Sequence, residues 1–169
     1  PHKTGFSALI DAGANTDCKP SYLAQFAVMG SVYAATVWGI SAPKVGLMSI
    51  GEEPGKGNEL VRAAYPLLEH TPNIDFFGNI EGRDVLTGAV DVIVTDGFTG
   101  DVILKLAEGE ANTLFGWIRD AFMGSLRSKI GGWLVMPALR NLKHRVDPNQ
   151  YGAQPLLGVN GYAFIGHGS

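Results

Sequence analysis

A chain of 169 residues, 46% of them hydrophobic, is long enough to bury a core as one domain and too apolar to be disordered. Its formal net charge of −3, from 13 Lys and Arg against 16 Asp and Glu, argues against general nucleic-acid binding, which needs a clustered excess of base. A single cysteine, Cys18, rules out an intramolecular disulfide and a cysteine-rich metal site, and makes a reducing cytoplasm the default compartment.

The opening, PHKTGFSALIDAG, lacks a charged start followed by a long apolar run, so no secretory leader is expected. No stretch reaches the roughly 18 unbroken apolar residues of a spanning helix. SALIDA (7–12) reads as a strand and runs into the glycine-containing loop DAGANTDCKP (11–20). Pro20 then sits at a good helix-opening position, and residues 21–39 place apolar groups at helical spacing. KVGLMSI (44–50) is a second strand, followed by the loop GEEPGKGNE (51–59) and a helix over 58–70. IDFFGN (74–79) leads into GNIEGRD (78–84), and VDVIVTD (90–96) into TDGFTGD (95–101), after which 100–122 is helical. GYAFIG (161–166) is a last strand. Apolar strands alternating with helices mark a mostly parallel sheet covered on both faces, a three-layer α/β architecture.

Ligands of such sheets bind beyond the carboxyl ends of the strands, which is where the four glycine-rich loops fall. Tight-turn chemistry accounts for any one of them alone; four at equivalent positions point to a site. The loop at 51–59 is not a nucleotide P-loop, because Gly51 to Gly55 is one residue short and Gly57 replaces the magnesium-binding hydroxyl. Nor is it a dinucleotide fingerprint, since Leu60 stands where a third glycine belongs. What remains is a helix start near Asn58 with Lys56 just ahead of it, suited to one small anion such as phosphate without a divalent metal. Glu52 and Glu53 oppose an anion unless they pair with Lys56 or Arg83. The four histidines are scattered, so no metal site is expected.

Seven segments, LIDAGANTDCKP, QFAVMGSVYA, IGEEPGKGNE, GNIEGRD, VTDGFTGDVILK, DPNQYGAQPLLGVNG and GHGS, resemble in this order the bacterial phosphate acyltransferases of phospholipid synthesis. That family makes acyl phosphate from acyl-acyl carrier protein. The resemblance runs from Leu9 to Ser169 and matches the C-terminal half of the family; the Asp-Ala-Met-Gly-Gly-Asp stretch that opens the other half is not found. Asp101 departs from the pattern, standing where Asn is expected in a G-N-V run. The resemblance implies an isocitrate/isopropylmalate dehydrogenase-like sandwich, a cytoplasmic homodimer peripheral at the membrane, acyl carrier protein and inorganic phosphate as partners, and no cofactor.

Ionised phosphate is already nucleophilic, and a thiolate with a pKa of about 8.5 leaves readily, so positioning and oxyanion stabilisation are the main demands. The resemblance then implies these roles. Lys56 neutralises phosphate, Asn58 and Asn15 hydrogen-bond it, and Thr99 donates from the next helix start. Backbone N–H groups of Gly55, Gly57, Gly97 and Gly100 serve phosphate and oxyanion, and Asp17 joins the phosphate or acyl-binding set. His167 orients phosphate or protonates the departing sulfur, or is simply a turn histidine. Asp96 orients Lys56 or Arg83, or caps a helix. Cys18 has no histidine nearby in sequence, and direct attack by phosphate makes a covalent step unnecessary.

Residues 121–146 hold five Lys or Arg, one His and no acid. Two helices meeting at an apolar tip, Trp133, Leu134, Val135 and Met136, with basic flanks that include Arg140 and Lys143, suit shallow insertion into an anionic membrane surface. The same pattern suits a dimer interface or an acidic carrier protein. The chain is thus expected to be a single α/β domain fragment over 1–169, with 100–146 a protruding helical hairpin inserted in it. Two other readings stay open: a coenzyme A-dependent phosphotransacetylase, and an inactive fragment that binds a membrane or carrier protein.

Overall fold

Alternation within the apolar runs decides the architecture. In the computed structural model, which describes residues 1–2, 5–146 and 153–166, four strands form one sheet: β1 (Ala8–Ile10), β2 (Lys44–Met48), β3 (Asp75–Ile80) and β4 (Val92–Val94). Their order is β1-β4-β2-β3 and every pairing is parallel. The chain divides into two compact units, Pro1–Leu104 and Lys105–Ser169, and the sheet belongs to the first.

Successive side chains of a strand point to opposite faces, so each face recruits its own cover. Val45, Leu47, Val92 and Val94 bury against α1 (Pro20–Trp38) and α2 (Glu59–Glu69), which contribute Leu23, Phe26, Ala27, Ala34, Val61, Ala64 and Leu68. Met48, Ile80 and Ile93 join Val90 in a second, smaller cluster completed by Leu9, Val85 and Ile103. Ile103 lies on α3 (Gly97–Met123), so helices cover both faces and the three-layer α/β reading holds. α1 begins at Pro20 and ends where Gly39 turns left-handed with φ 69°. α1 carries no charged residue, and Val28, Val32 and Val37 remain exposed on it.

The strands expected over 7–12, 44–50, 74–79 and 90–96 are all present, but most are shorter, because their ends peel away into loops that bond to themselves. The segment 161–166 is different. Only Phe164–Ile165 is extended, as β6, and it pairs antiparallel with β5 (Gln154–Pro155) rather than joining the parallel sheet.

In the second unit, α3 continues from Lys105 to Met123, and α4 (Leu126–Val146) follows after Gly124 and Ser125. The Ser125 hydroxyl caps α4 by accepting from the Ser128 amide at 3.1 Å. Trp133, Leu134, Val135 and Met136, expected at the tip between two helices, instead lie about two turns inside α4. The helix break falls at the small residues Gly124 and Ser125. Gly132 lets the Phe122 ring close on α4, since a Cβ there would stand 2.9 Å from that ring. Trp133 is 75% exposed, and Leu134 and Met136 are exposed with it. No helix among the described residues is long and apolar enough to cross a membrane.

Two helical glycines predict opposite outcomes. A Cβ on Gly30 would stand 2.5 Å from Val92 Cγ1, so Gly30→Ala pushes α1 off the sheet and is expected to cost about 1–3 kcal/mol. Gly116, on α3, has open space around it, and Gly116→Ala is expected to gain roughly 0.5–1 kcal/mol. Urea denaturation of the two variants checks both signs.

Candidate functional site

The parallel strands deliver their carboxyl ends to one edge of the sheet, and two differently built groups of residues stand there. The first follows β1 and β4. Asp11 is 7% exposed, and its carboxylate accepts from the Ala14 amide at 2.9 Å, the Asn15 amide at 2.7 Å and Asn15 Nδ2 at 2.8 Å. Residues 11–15 therefore curl around one buried carboxylate, the local turn that Asp favours. The curl aims the Asn15 carbonyl at the start of α3, where it accepts from the Gly97 amide at 2.8 Å. Asp96 caps the same helix, taking the Thr99 amide at 2.8 Å on Oδ1 and the Thr99 hydroxyl at 2.8 Å on Oδ2. The approach is too close for side chains. A Cβ on Gly97 would stand 2.6 Å from Asn15 O, and one on Gly100 would collide with Asp11 O.

The second group follows β2. Residues 53–56 form a turn closed by the Lys56 amide donating to Glu53 O at 3.0 Å, with Pro54 at the position that fixes its φ. Gly57 has φ 104° and lies over Ser49, so it takes a conformation that a side chain resists. Asn58 caps α2 through Oδ1, which accepts from the Val61 amide at 2.9 Å, and Arg62 Nη1 donates to Gly57 O at 2.6 Å. Glu52 pairs with Arg83 at 3.2 Å, and Arg83 also reaches Glu81 at 3.3 Å, which draws one of the two loop carboxylates aside as expected. Lys56 is exposed, and among the described residues its ammonium makes no ion pair. The amides of Gly55 and Gly57 likewise donate to no protein group there. β2 and β4 are neighbours, with Leu47 opposite Val94, so the two groups issue from adjacent strand ends.

The residues expected at a site thus separate by chemistry. Lys56, Gly55, Gly57 and Asn58 come together at the start of α2 with donors open to solvent. Asn15, Asp96, Gly97, Thr99 and Gly100 come together at the start of α3, but their donors are engaged. Gly97 N serves Asn15 O, Gly100 N serves Asp96 O at 3.0 Å, and the Asn15 amide group and the Thr99 hydroxyl serve carboxylates. These amides are helix-forming and turn-forming donors, because the helix starts at Gly97 and not at residue 100. Asp17 is exposed on the same loop, and Asp96 orients neither Lys56 nor Arg83; its partner is Thr99. Asp101 approaches Gly13, so this end of the sheet is acidic. Trp133, Leu134, Met136, Arg140 and Lys143 lie on α4 in the second unit. His167 lies outside the described residues.

Sequence reasoning missed Asp11, Ser49 and Asn79. Asp11 had a signal, a strand-ending Asp followed by Gly and Asn at turn spacing. Asn79 had one too, a polar residue of low strand propensity beside glycine in DFFGNI.

These features define an α/β protein with a parallel sheet and an anion-ready loop at its strand ends. A family model described as "Fatty acid synthesis protein" matches residues 1–169, and the chain belongs to that family. It is 58% identical over 169 residues to a protein of Thermus thermophilus named "Phosphate acyltransferase", covering all of this chain and 52% of that one. Proteins of the same name from Pelotomaculum thermopropionicum and Clostridium perfringens are 52% and 50% identical, with 49% and 50% of their lengths covered. The chain spans about half the length of the curated relatives it matches.

Cys18 borders the acidic group, with its thiol donating to Asn15 O at 3.3 Å. Burial raises its pKa above the ordinary thiol value, and the Asp11, Asp96 and Asp17 carboxylates push the same way, outweighing the opposing Gly97 amide. The thiol therefore stays protonated at neutral pH, which suits a packed side chain and not a nucleophile. Alkylation of Cys18 by iodoacetamide is expected to be slow at pH 7, with its rate inflecting at a higher pH than that of free cysteine. An inflection at or below the free value contradicts this placement.

Proposed function

We propose that the chain is part of an enzyme that transfers a fatty acyl group from acyl-acyl carrier protein to inorganic phosphate, giving acyl phosphate for phospholipid synthesis. The observation that carries the reading is the start of α2, where the Lys56 ammonium and the Gly55 and Gly57 amides converge without protein partners. A helix N-terminus with a lysine ahead of it favours a small dianion. The names of the relatives support the same chemistry. Phosphate held there presents an oxygen to the thioester carbonyl; the new C–O bond forms, the C–S bond breaks, and the thiolate leaves on the carrier arm. Holding the nucleophile in place supplies most of the acceleration, because neither partner needs strong acid or base help.

Asn58 is spent as the cap of α2, so in this reading it sets the direction of the helix amides and Lys56 carries the charge. Ile50, 83% exposed after β2, and Phe98, 65% exposed in the first turn of α3, offer an apolar surface for the acyl chain at neighbouring strand ends. Asp96 and Thr99 lock the α3 start that presents Phe98. Arg127, Lys129, Arg140 and Lys143, all exposed on an α4 free of acids, suit an acidic carrier protein and an anionic membrane surface, with Trp133, Leu134 and Met136 inserting. The enzyme in this reading is a cytoplasmic homodimer resting on the membrane. His167 keeps its proposed role of orienting phosphate or protonating the thiolate.

Phosphate-dependent release of carrier thiol, with hydroxylamine trapping of acyl phosphate, tests the reaction on this chain and on one extended to the length of the relatives. Acyl hydroxamate that requires phosphate is expected from the extended chain. Lys56→Ala in that chain is expected to raise the KM for phosphate roughly tenfold or more, the worth of one charge-assisted contact. No phosphate-dependent release from either chain overturns the reading. For the surface of α4, the paired change Trp133→Ala and Leu134→Ala is expected to abolish binding to anionic vesicles, and unchanged binding removes the membrane role.

A further inference from the structure

We propose that Asn79 is the positioning residue of the anion loop. From the end of β3 it holds the Glu53 carbonyl and through it the turn that presents Lys56, Gly55 and Gly57. The inference rests on the phosphate reading given above and adds a residue to that site.

Asn79 is 3% exposed, and its Nδ2 donates to Glu53 O at 2.8 Å, across 26 residues of sequence. The same carbonyl accepts the Lys56 amide at 3.0 Å, so the bond that closes the turn and the bond that ties it down share one oxygen. The rest of the loop is secured only at its margins. The Ser49 amide bonds Ile80 O at 2.8 Å on one side, and Arg62 and the Asn58 cap hold the other. Between them, among the described residues, the single other polar tie is Glu52 to Arg83, both 68% exposed at the side chain. An exposed pair of that kind constrains little. Asn79 is therefore the one buried anchor of the middle of the loop.

Its environment argues against a packing role. Asn79 Oδ1 is buried without a hydrogen-bond partner, and so is Ser49 Oγ, which lies beneath Gly57. A third such atom, Ser31 Oγ, is the remaining case among the described residues, so two of the three underlie this one loop. An unpartnered buried oxygen destabilises a fold, and an apolar side chain at 79 would avoid it. An amide retained there at such a cost has a local task, and its only bond goes to the loop that carries the exposed lysine.

The test is titration of this chain with inorganic phosphate against a chloride control of equal ionic strength, read by the backbone amide resonances of Gly55 and Gly57. Wild type is expected to shift both resonances with saturation. Asn79→Asp keeps the shape but loses the donor, and is expected to bind phosphate about tenfold more weakly while keeping a native spectrum elsewhere. Pro54→Gly, which loosens the same turn without touching the core, is expected to weaken binding at least threefold. Equal affinity in a folded Asn79→Asp protein overturns the inference and leaves the phosphate reading standing. Should Asn79→Asp fail to fold, Pro54→Gly decides: weaker binding supports the anchor, and unchanged binding overturns it. Failure of wild type to shift Gly55 and Gly57 overturns the phosphate reading itself, and the anchor with it.

Discussion

Everything at the strand ends of the first unit depends on the Asp11 carboxylate. It is buried where water is scarce, and it is affordable only because three N–H donors from Ala14 and Asn15 surround it. Those bonds curl the chain after β1, and the curl carries the Asn15 carbonyl to the Gly97 amide. The start of α3 is then fixed twice, by Asn15 from outside and by the Asp96 cap from within. α3 in turn brings Ile103 onto the second face of the sheet, which would otherwise stand open. One acid at the end of a three-residue strand thus links the turn, the helix and the cover of the core.

The two groups at the sheet edge divide the electrostatic work. Around the start of α3 the donors are satisfied internally and the surrounding side chains are Asp11, Asp17, Asp96 and Asp101, which together repel an anion. Around the start of α2 the nearest acid that could compete is drawn to Arg83, and a lysine and two amides are left facing solvent. A small anion approaching this edge meets a field that rejects it at one strand end and accepts it at the next. The discrimination comes from which donors the fold has already used, and not from the number of glycines, which is similar in both loops.

That distinction explains what could be read in the sequence and what could not. The four parallel strands and the three long helices of the first 123 residues are written in periodicity, and Pro20, Asn58 and Gly39 mark helix ends in the expected way. The glycine-rich loops were legible as a group, but sequence does not tell whether a glycine is there to free an amide for a ligand or to let two backbones touch. Gly55 and Gly57 leave amides open, whereas Gly97 and Gly100 are there for contact. Asp96 was legible as a cap, and the cap moved the helix start forward by three residues. The apolar run Trp133–Met136 looked like a tip because Gly131, Gly132 and Pro137 flank it, yet Gly132 is used to receive Phe122 and the helix passes through. Asn79 escaped notice because its role appears only when residue 53 folds back over it.

The contact of Gly97 and Gly100 with Asn15 and Asp11 sets unequal freedom for change over time. Along α4 most side chains face solvent, and many exchanges there leave the fold untouched. At positions 97 and 100 no side chain larger than hydrogen is admitted, because the atoms opposite are backbone and cannot rotate away. A lineage descending from this chain can therefore rewrite its outer helices while these two sites stay still. The pair of glycines three apart, read together with an aspartate that ends the first strand, is the mark by which its most distant descendants remain identifiable.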